Sequence, residues 1–167
     1  GNFELNDQSF FDKEYEKEFK KNKLIRHLIL LKELNATQLG KDIFKHLANL
    51  NIEKGSEVLA ADLATTLERY DFAIQISKKA SYEKRFYNKY NYPIISTPKE
   101  INNKTMPKSE VILAIIRQES EFDKRANSWA GARGMMQLMK YTAKIVAKQA
   151  NLPYSISRLT REPEYNI

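Results

Sequence analysis

The stretch VILAIIRQES, Val111 to Ser120, sets a carboxylate at the end of an otherwise apolar helix. At about 100° per residue, Ile112, Ile115 and Ile116 all fall within about 60° of Glu119. A carboxyl on such a stripe is expected to be partly buried. Burial penalises the charged form and raises the pKa, which is what a general acid near neutral pH requires. The bland alternative is a helix that stops here with Glu119 facing water. If the helix continues, Glu121 lies about 200° round from Glu119; Asp123 lies at about 400°, nearly the same side but a turn further on. The segment therefore offers one well-placed carboxylate, and a two-carboxylate glycosidase would need its partner from a distant segment.

Just downstream, SWAGARGMMQLM (Ser128 to Met139) combines a short polar residue, two glycines and a methionine-rich turn. Gly131 and Gly134 permit tight loop conformations and close backbone approach. Gln137 can donate and accept hydrogen bonds, which suits a sugar acetamido or hydroxyl group. Met135, Met136, Leu138 and Met139 are more often core than site residues.

Upstream, no proline precedes Pro93, and Asp12 to Lys89 reads as successive short helices. One is expected over Lys23 to Leu34, with Leu24, His27, Leu28, Leu31 and Leu34 on one side. The next carries Leu39, Ile43, Phe44, Leu47 and Leu50; a third spans Ser56 to Tyr70; a fourth holds Phe72, Ile76 and Ala80. A fifth continues through Tyr82, Phe86 and Tyr90. The Lys and Glu run from Lys13 to Lys21 reads as a solvated helix face with ion pairs one turn apart. Short helices in series suggest stacked pairs, although no fixed-period repeat is evident. The segment Pro93 to Pro107, with three prolines, breaks the pattern and is expected to be a connecting loop. A further helix is expected near Tyr141 to Ala150.

Composition narrows the chemistry. The 167 residues are 42% hydrophobic and 29% charged, a globular mixture. No apolar run approaches the roughly 20 residues of a membrane span, and the first residues lack a signal-peptide layout. With no cysteine, thiolate zinc sites, disulfides and a cysteine nucleophile are excluded. His27 and His46 both lie in helical, Lys-containing stretches, which supplies a His-based triad or metal site poorly. The net charge of +7 suits an anionic polymer. No nucleic-acid-binding signature accompanies it.

IIRQESEF, then SWAGARGMMQLM, then EPEYNI together resemble the catalytic domain of the soluble lytic transglycosylases. That family pairs a helix ending in Gln-Glu-Ser with a Ser-x-x-Gly-Ala-x-Gly-Leu-Met-Gln-x-Met turn and a later Pro-Glu-x-Asn-Ile motif. The motif resemblance covers roughly Val111 to Ile167, and the preceding helices are similar in texture to the family's helical linker region. The resemblance implies an all-α fold. A helical-repeat, superhelical linker domain (1–92) and a connecting loop (93–107) would precede the N-terminal part of a goose-type, lysozyme-like catalytic domain (108–167). It implies that Glu119 is the catalytic acid/base, that Ser128 orients that carboxylate or lines its pocket, and that Gln137 and Met139 contact the saccharide. Gly131 and Gly134 match the turn glycines. Trp129, Arg133, Met135 and Lys140 depart from the usual residues, and none touches the carboxylate position. The family continues past Asn-Ile into further helices, so the chain reads as a fragment of a longer enzyme.

The implied reaction is cleavage of the β-1,4 bond between N-acetylmuramic acid and N-acetylglucosamine, leaving 1,6-anhydro ends. It would need one carboxylate and neither metal nor organic cofactor. Implied partners are peptidoglycan glycan strands and possible wall-synthesis proteins, with no nucleic acid and no membrane span; the implied compartment is the periplasm. The alternatives are a hydrolytic muramidase on the same scaffold and a non-catalytic wall-binding helical module.

Overall fold

The computed structural model describes residues 7–101 and 104–167. The chain divides into two compact units, one running to Pro93 and one from Ile94. The secondary structure is overwhelmingly helical, as the periodicity predicts.

In the first unit, α1 (Lys13–Lys20) is capped by Asp12, whose side chain accepts from the backbone amides of Glu14 and Tyr15. Lys17 pairs with Glu14 and Lys20 with Glu16 across single helical turns, the solvated face expected from the charge run. Asn22 caps α2 (Lys23–Glu33), where Leu28 is buried but Leu34 lies outside the helix and 74% exposed. A 3-10 turn at Thr37–Gly40 leads into α3 (Lys41–Ala48). Leu39 lies in that turn, exposed, and Leu50 beyond α3 is exposed as well, so only Phe44 and Leu47 of the predicted stripe are buried.

At the centre of the unit is α4 (Ser56–Thr66), which buries Val58, Leu59, Ala60, Ala61 and Ala64. A helix apolar on so many sides is a core helix. It packs against both α3 and α5 (Tyr70–Tyr82). Two polar residues at its start are buried with it: Ser56 donates to the Ala48 carbonyl at 2.6 Å, and Glu57 is held by a bidentate Arg85 and by the Tyr87 hydroxyl. Gly55 precedes α4 at φ 90°, and a Cβ there would run into Phe11.

The expected fifth helix does not continue from α5. Lys84 turns the backbone to φ 61°, and only the short α6 (Asn88–Asn91) follows. Tyr87 and Tyr90 are buried there, whereas Tyr82 and Phe86 are exposed. The aromatic run is thus split by a turn its spacing did not reveal.

In the second unit, part of the proline-rich loop forms a two-residue antiparallel ladder, Glu100–Ile101 with Lys104–Thr105. The long helix α7 (Ser109–Ser120) follows, then an irregular turn region, then α8 (Lys140–Gln149). The chain closes with two single-turn helices, α9 (Arg158–Arg161) and α10 (Pro163–Asn166). The unit buries Ile112, Ile116, Phe122, Met135 and Leu159. Among the described residues no helix is long and apolar enough to cross a membrane.

Candidate active site

The end of α7 is a defined corner. After Ser120 the backbone takes positive φ at Glu121 (51°) and again at Phe122 (65°). Left-handed geometry is costly for a bulky residue, so two such positions in a row need strong support. Burial of the Phe122 ring and the Arg117–Glu121 ion pair at 3.4 Å supply part of it. The Ser120 hydroxyl donates across to the Met135 carbonyl at 2.8 Å. One hydroxyl therefore fastens the helix end to the downstream turn.

That turn is built from crossed backbone bridges. Asn127 pairs with Arg133, and Arg133 pairs with Leu138. Ser128 closes the first loop: its hydroxyl accepts the Ala132 amide at 3.0 Å, and its carbonyl accepts the Gly131 amide at 3.0 Å. Gly131 (φ 89°) and Gly134 (φ 73°) occupy the left-handed region. A Cβ at Gly131 would meet open space, but one at Gly134 would collide with the Leu159 carbonyl and the Asn166 carboxamide. Gly131 is required by backbone conformation alone, whereas Gly134 is also required by a close approach.

The C-terminal motif makes that approach. Asn166 is buried; its Oδ1 accepts the Met136 amide at 2.6 Å, and its Nδ2 donates to the Arg133 carbonyl at 3.0 Å. Tyr165 holds the neighbouring loop, its hydroxyl donating to the Pro153 carbonyl at 2.8 Å and accepting the Ser155 amide at 3.0 Å. Asn166 and Ser120, which the motif resemblance leaves without a task, are the side chains that fasten the turn; Asn166 lies 30 residues from Met136, so no local spacing marks it.

The other site residues fall as follows. Gln137 sits at φ 48° and donates its Nε2 to the Gly134 carbonyl at 2.8 Å, so part of its hydrogen-bonding capacity is spent within the turn. Met139 is exposed and precedes α8 as its N-cap. Glu121 is occupied by Arg117, and Asp123 accepts the Arg125 amide at 2.9 Å.

Glu119 itself departs from expectation. Its side chain is exposed, not sheltered. The apolar stripe of α7 is wider than the protein surface it meets. Ile112 and Ile116 face inward, but Val111 (50%) and Ile115 (41%) remain open to solvent. Glu110, Val111, Ala114, Ile115, Gln118 and Glu119, all on α7, line a shallow, open groove of about 480 Å3 that no described segment covers. The structure thus brings together an accessible carboxyl, an apolar groove along its helix and a turn fastened to the end of that helix.

Residues 96–167 match the family model of the transglycosylase SLT domain. A curated Haemophilus influenzae protein, assigned by name as a soluble lytic murein transglycosylase, is 30% identical over 142 residues, covering 82% of this chain and 23% of its own length. Among solved structures, the 70-kDa soluble lytic transglycosylase of Escherichia coli superposes with a TM-score of 0.72 at 22% identity, over 98% of this chain and 26% of that one. An inactive glutamate-to-glutamine mutant of the lytic transglycosylase Slt from Pseudomonas aeruginosa gives 0.70 at 24% identity, over 96% of this chain and 26% of that one. The fold is shared with these enzymes, and the chain spans about a quarter of their length.

Proposed function

We propose, from the premise that residues 96–167 belong to the transglycosylase SLT domain family, that this protein takes part in lytic cleavage of peptidoglycan. The observation that carries this reading is the position of Glu119. It is an accessible carboxyl at the C-terminal end of α7, beside an open apolar groove and next to the hydroxyl that ties α7 to the Met135 turn.

Protonated Glu119 gives its proton to the oxygen of the breaking β-1,4 bond between N-acetylmuramic acid and N-acetylglucosamine. The substrate's N-acetyl carbonyl stabilises the cationic C1 centre, which removes the need for a second protein carboxylate. Glu119, now ionised, takes the proton of the muramyl 6-hydroxyl as that oxygen bonds to C1. The products are a 1,6-anhydro end and a free 4-hydroxyl; no water is consumed, and the carboxyl is again protonated. A carboxyl open to water is sheltered in this scheme by the glycan laid in the groove, which excludes solvent at the moment of transfer.

Gln137 and Met139 contact the saccharide in this reading, and Gly131 and Gly134 shape the loop that meets it. Ser128 acts by holding that loop closed. The inactive Pseudomonas structure carries the same kind of exchange, glutamate to glutamine, that would silence Glu119 here. The workplace that goes with the reading is the periplasm, where wall-synthesis proteins are candidate partners.

Product mass tests the reaction class. Murein digested by the whole protein yields fragments one water lighter than hydrolysis products if the internal 6-hydroxyl attacks. Fragments carrying that extra water would make the enzyme a muramidase.

A further inference from the structure

Trp129 is the sole tryptophan of the chain and stands clear of it, 104% exposed. Tryptophan is ordinarily well buried, yet here neither ring face nor the Nε1 proton is covered by protein. Its loop is pinned at the base. Ser128 accepts the Gly131 amide through its carbonyl and the Ala132 amide through its hydroxyl, both at 3.0 Å. Asn127 is bridged to Arg133, and the Gly134 amide donates to the Ala126 carbonyl at 2.8 Å. A Cβ at Gly131 would meet nothing, so the tip projects into open space. A ring presented on a fixed base loses little freedom when it binds.

The surroundings select the occupant. From Ala126 to Ala132 the loop carries no ionisable side chain, in a chain of net charge +7. Such a tip has nothing to draw an anionic peptide or a phospholipid headgroup. One indole also covers only about 150–250 Å2, against about 1,200 Å2 or more in a stable protein interface. A pyranose ring fits it better. Its C–H face lies on the electron-rich face of the indole, and the Nε1 proton is left for a hydroxyl or acetamido oxygen.

We propose that Trp129 is a stacking platform for an N-acetylhexosamine ring of the glycan strand, one that is not itself cleaved. The Asn127–Arg133 bridge sets the tip apart from the Ser120–Met135 bond beside Glu119, so the platform holds the strand and leaves the chemistry to that carboxyl. This inference rests on the glycan reading of the domain.

The test begins with the emission of Trp129, which no second tryptophan in the chain obscures. Titration with the β-1,4-linked hexamer of N-acetylglucosamine should move the emission to the blue and saturate; phosphatidylglycerol vesicles should not move it. Binding to purified sacculi should weaken about tenfold in Trp129→Ala. Trp129→Leu, bulky but not flat, should bind as poorly, and Trp129→Tyr should recover most of the loss. The side chain packs on nothing, so all three should melt as the wild type does. In digestion of glycan strands by the whole protein, Trp129→Ala should raise KM about tenfold with kcat within about twofold, the pattern of binding shared equally by substrate and transition state. Glu119→Gln should do the reverse, keeping the emission shift and losing turnover. Lytic turnover with KM unchanged in Trp129→Ala would therefore overturn this proposal alone, whereas a saturating shift in a protein that cleaves nothing would overturn only the lytic reading. Emission unmoved by millimolar hexamer, a shift with vesicles instead, or self-association lost in Trp129→Ala would also overturn the platform.

Discussion

Oδ1 of Asn166 accepts the backbone amide of Met136 at 2.6 Å, and the same side chain's Nδ2 reaches the Arg133 carbonyl. A residue from the last helical turn thereby satisfies two backbone groups of the loop that follows Gly131. Removing it leaves the Met136 amide without an acceptor, while the Arg133 carbonyl keeps the Leu138 amide at 3.0 Å. Asn166→Ala should cost about 1–3 kcal/mol, read by urea unfolding. Hydrogen exchange should show the Met136 amide deprotected in Asn166→Ala and still protected in Asn166→Asp, which keeps the acceptor.

The two turn glycines should respond unequally to alanine. At Gly131 only the positive φ resists a side chain, so Gly131→Ala should cost about 1–2 kcal/mol. At Gly134 the Leu159 carbonyl and Asn166 carboxamide also block the space, and overpacking should add about 1–3 kcal/mol. Denaturant midpoints of the two variants check this; equal midpoints would refute the close approach.

Arg85 stabilises the first unit by holding a buried charge. The Glu57 side chain is 3% exposed and its partner 29%. Arg85→Met strands the carboxylate and should destabilise by about 3 kcal/mol, the lower end of the range for broken buried pairs because Arg85 itself is partly open to solvent. Arg85→Met combined with Glu57→Gln should recover part of the loss in thermal unfolding.

Tyr87 should give the same unit an alkaline limit. Burial, followed by its hydrogen bond to the Glu57 carboxylate, pushes its hydroxyl up to about 12, from an ordinary value of 10. Above pH 10 the unfolded chain loses this proton while the folded one keeps it, so the unfolded state gains. The stability from this group is present below pH 10 and lost as pH rises towards 12. Tyr87→Phe should show a smaller fall in stability than wild type across that window, measured by denaturant unfolding at matched pH.

How much of this was legible in sequence differs by element. The run VILAIIRQES announces α7 because its apolar spacing is helical, and the glycines at 131 and 134 announce a turn because few other residues tolerate positive φ. The exposure of Glu119 was not legible. A helical wheel places Glu119 about 20° from Ile112 but cannot say which part of a wide apolar stripe meets protein. In the structure the core lies on the Ile112–Ile116 side, and the left-handed pair Glu121 and Phe122 ends the helix there. Lys84 hid the break after α5 for a related reason, since a lysine at positive φ carries no sequence signal. The bond between Asn166 and Met136 spans 30 residues, beyond the reach of local pattern.

Everything proposed for the glycan chemistry passes through one carboxyl, and a single exchange isolates it. Glu119→Gln keeps the size and the hydrogen-bonding shape of the side chain but cannot shuttle a proton. Release of soluble muropeptides from purified sacculi by the whole protein should fall by about 10²–10⁴-fold in this variant, with the melting temperature and sacculus binding unchanged. Turnover within a few fold of wild type would remove Glu119 from the mechanism.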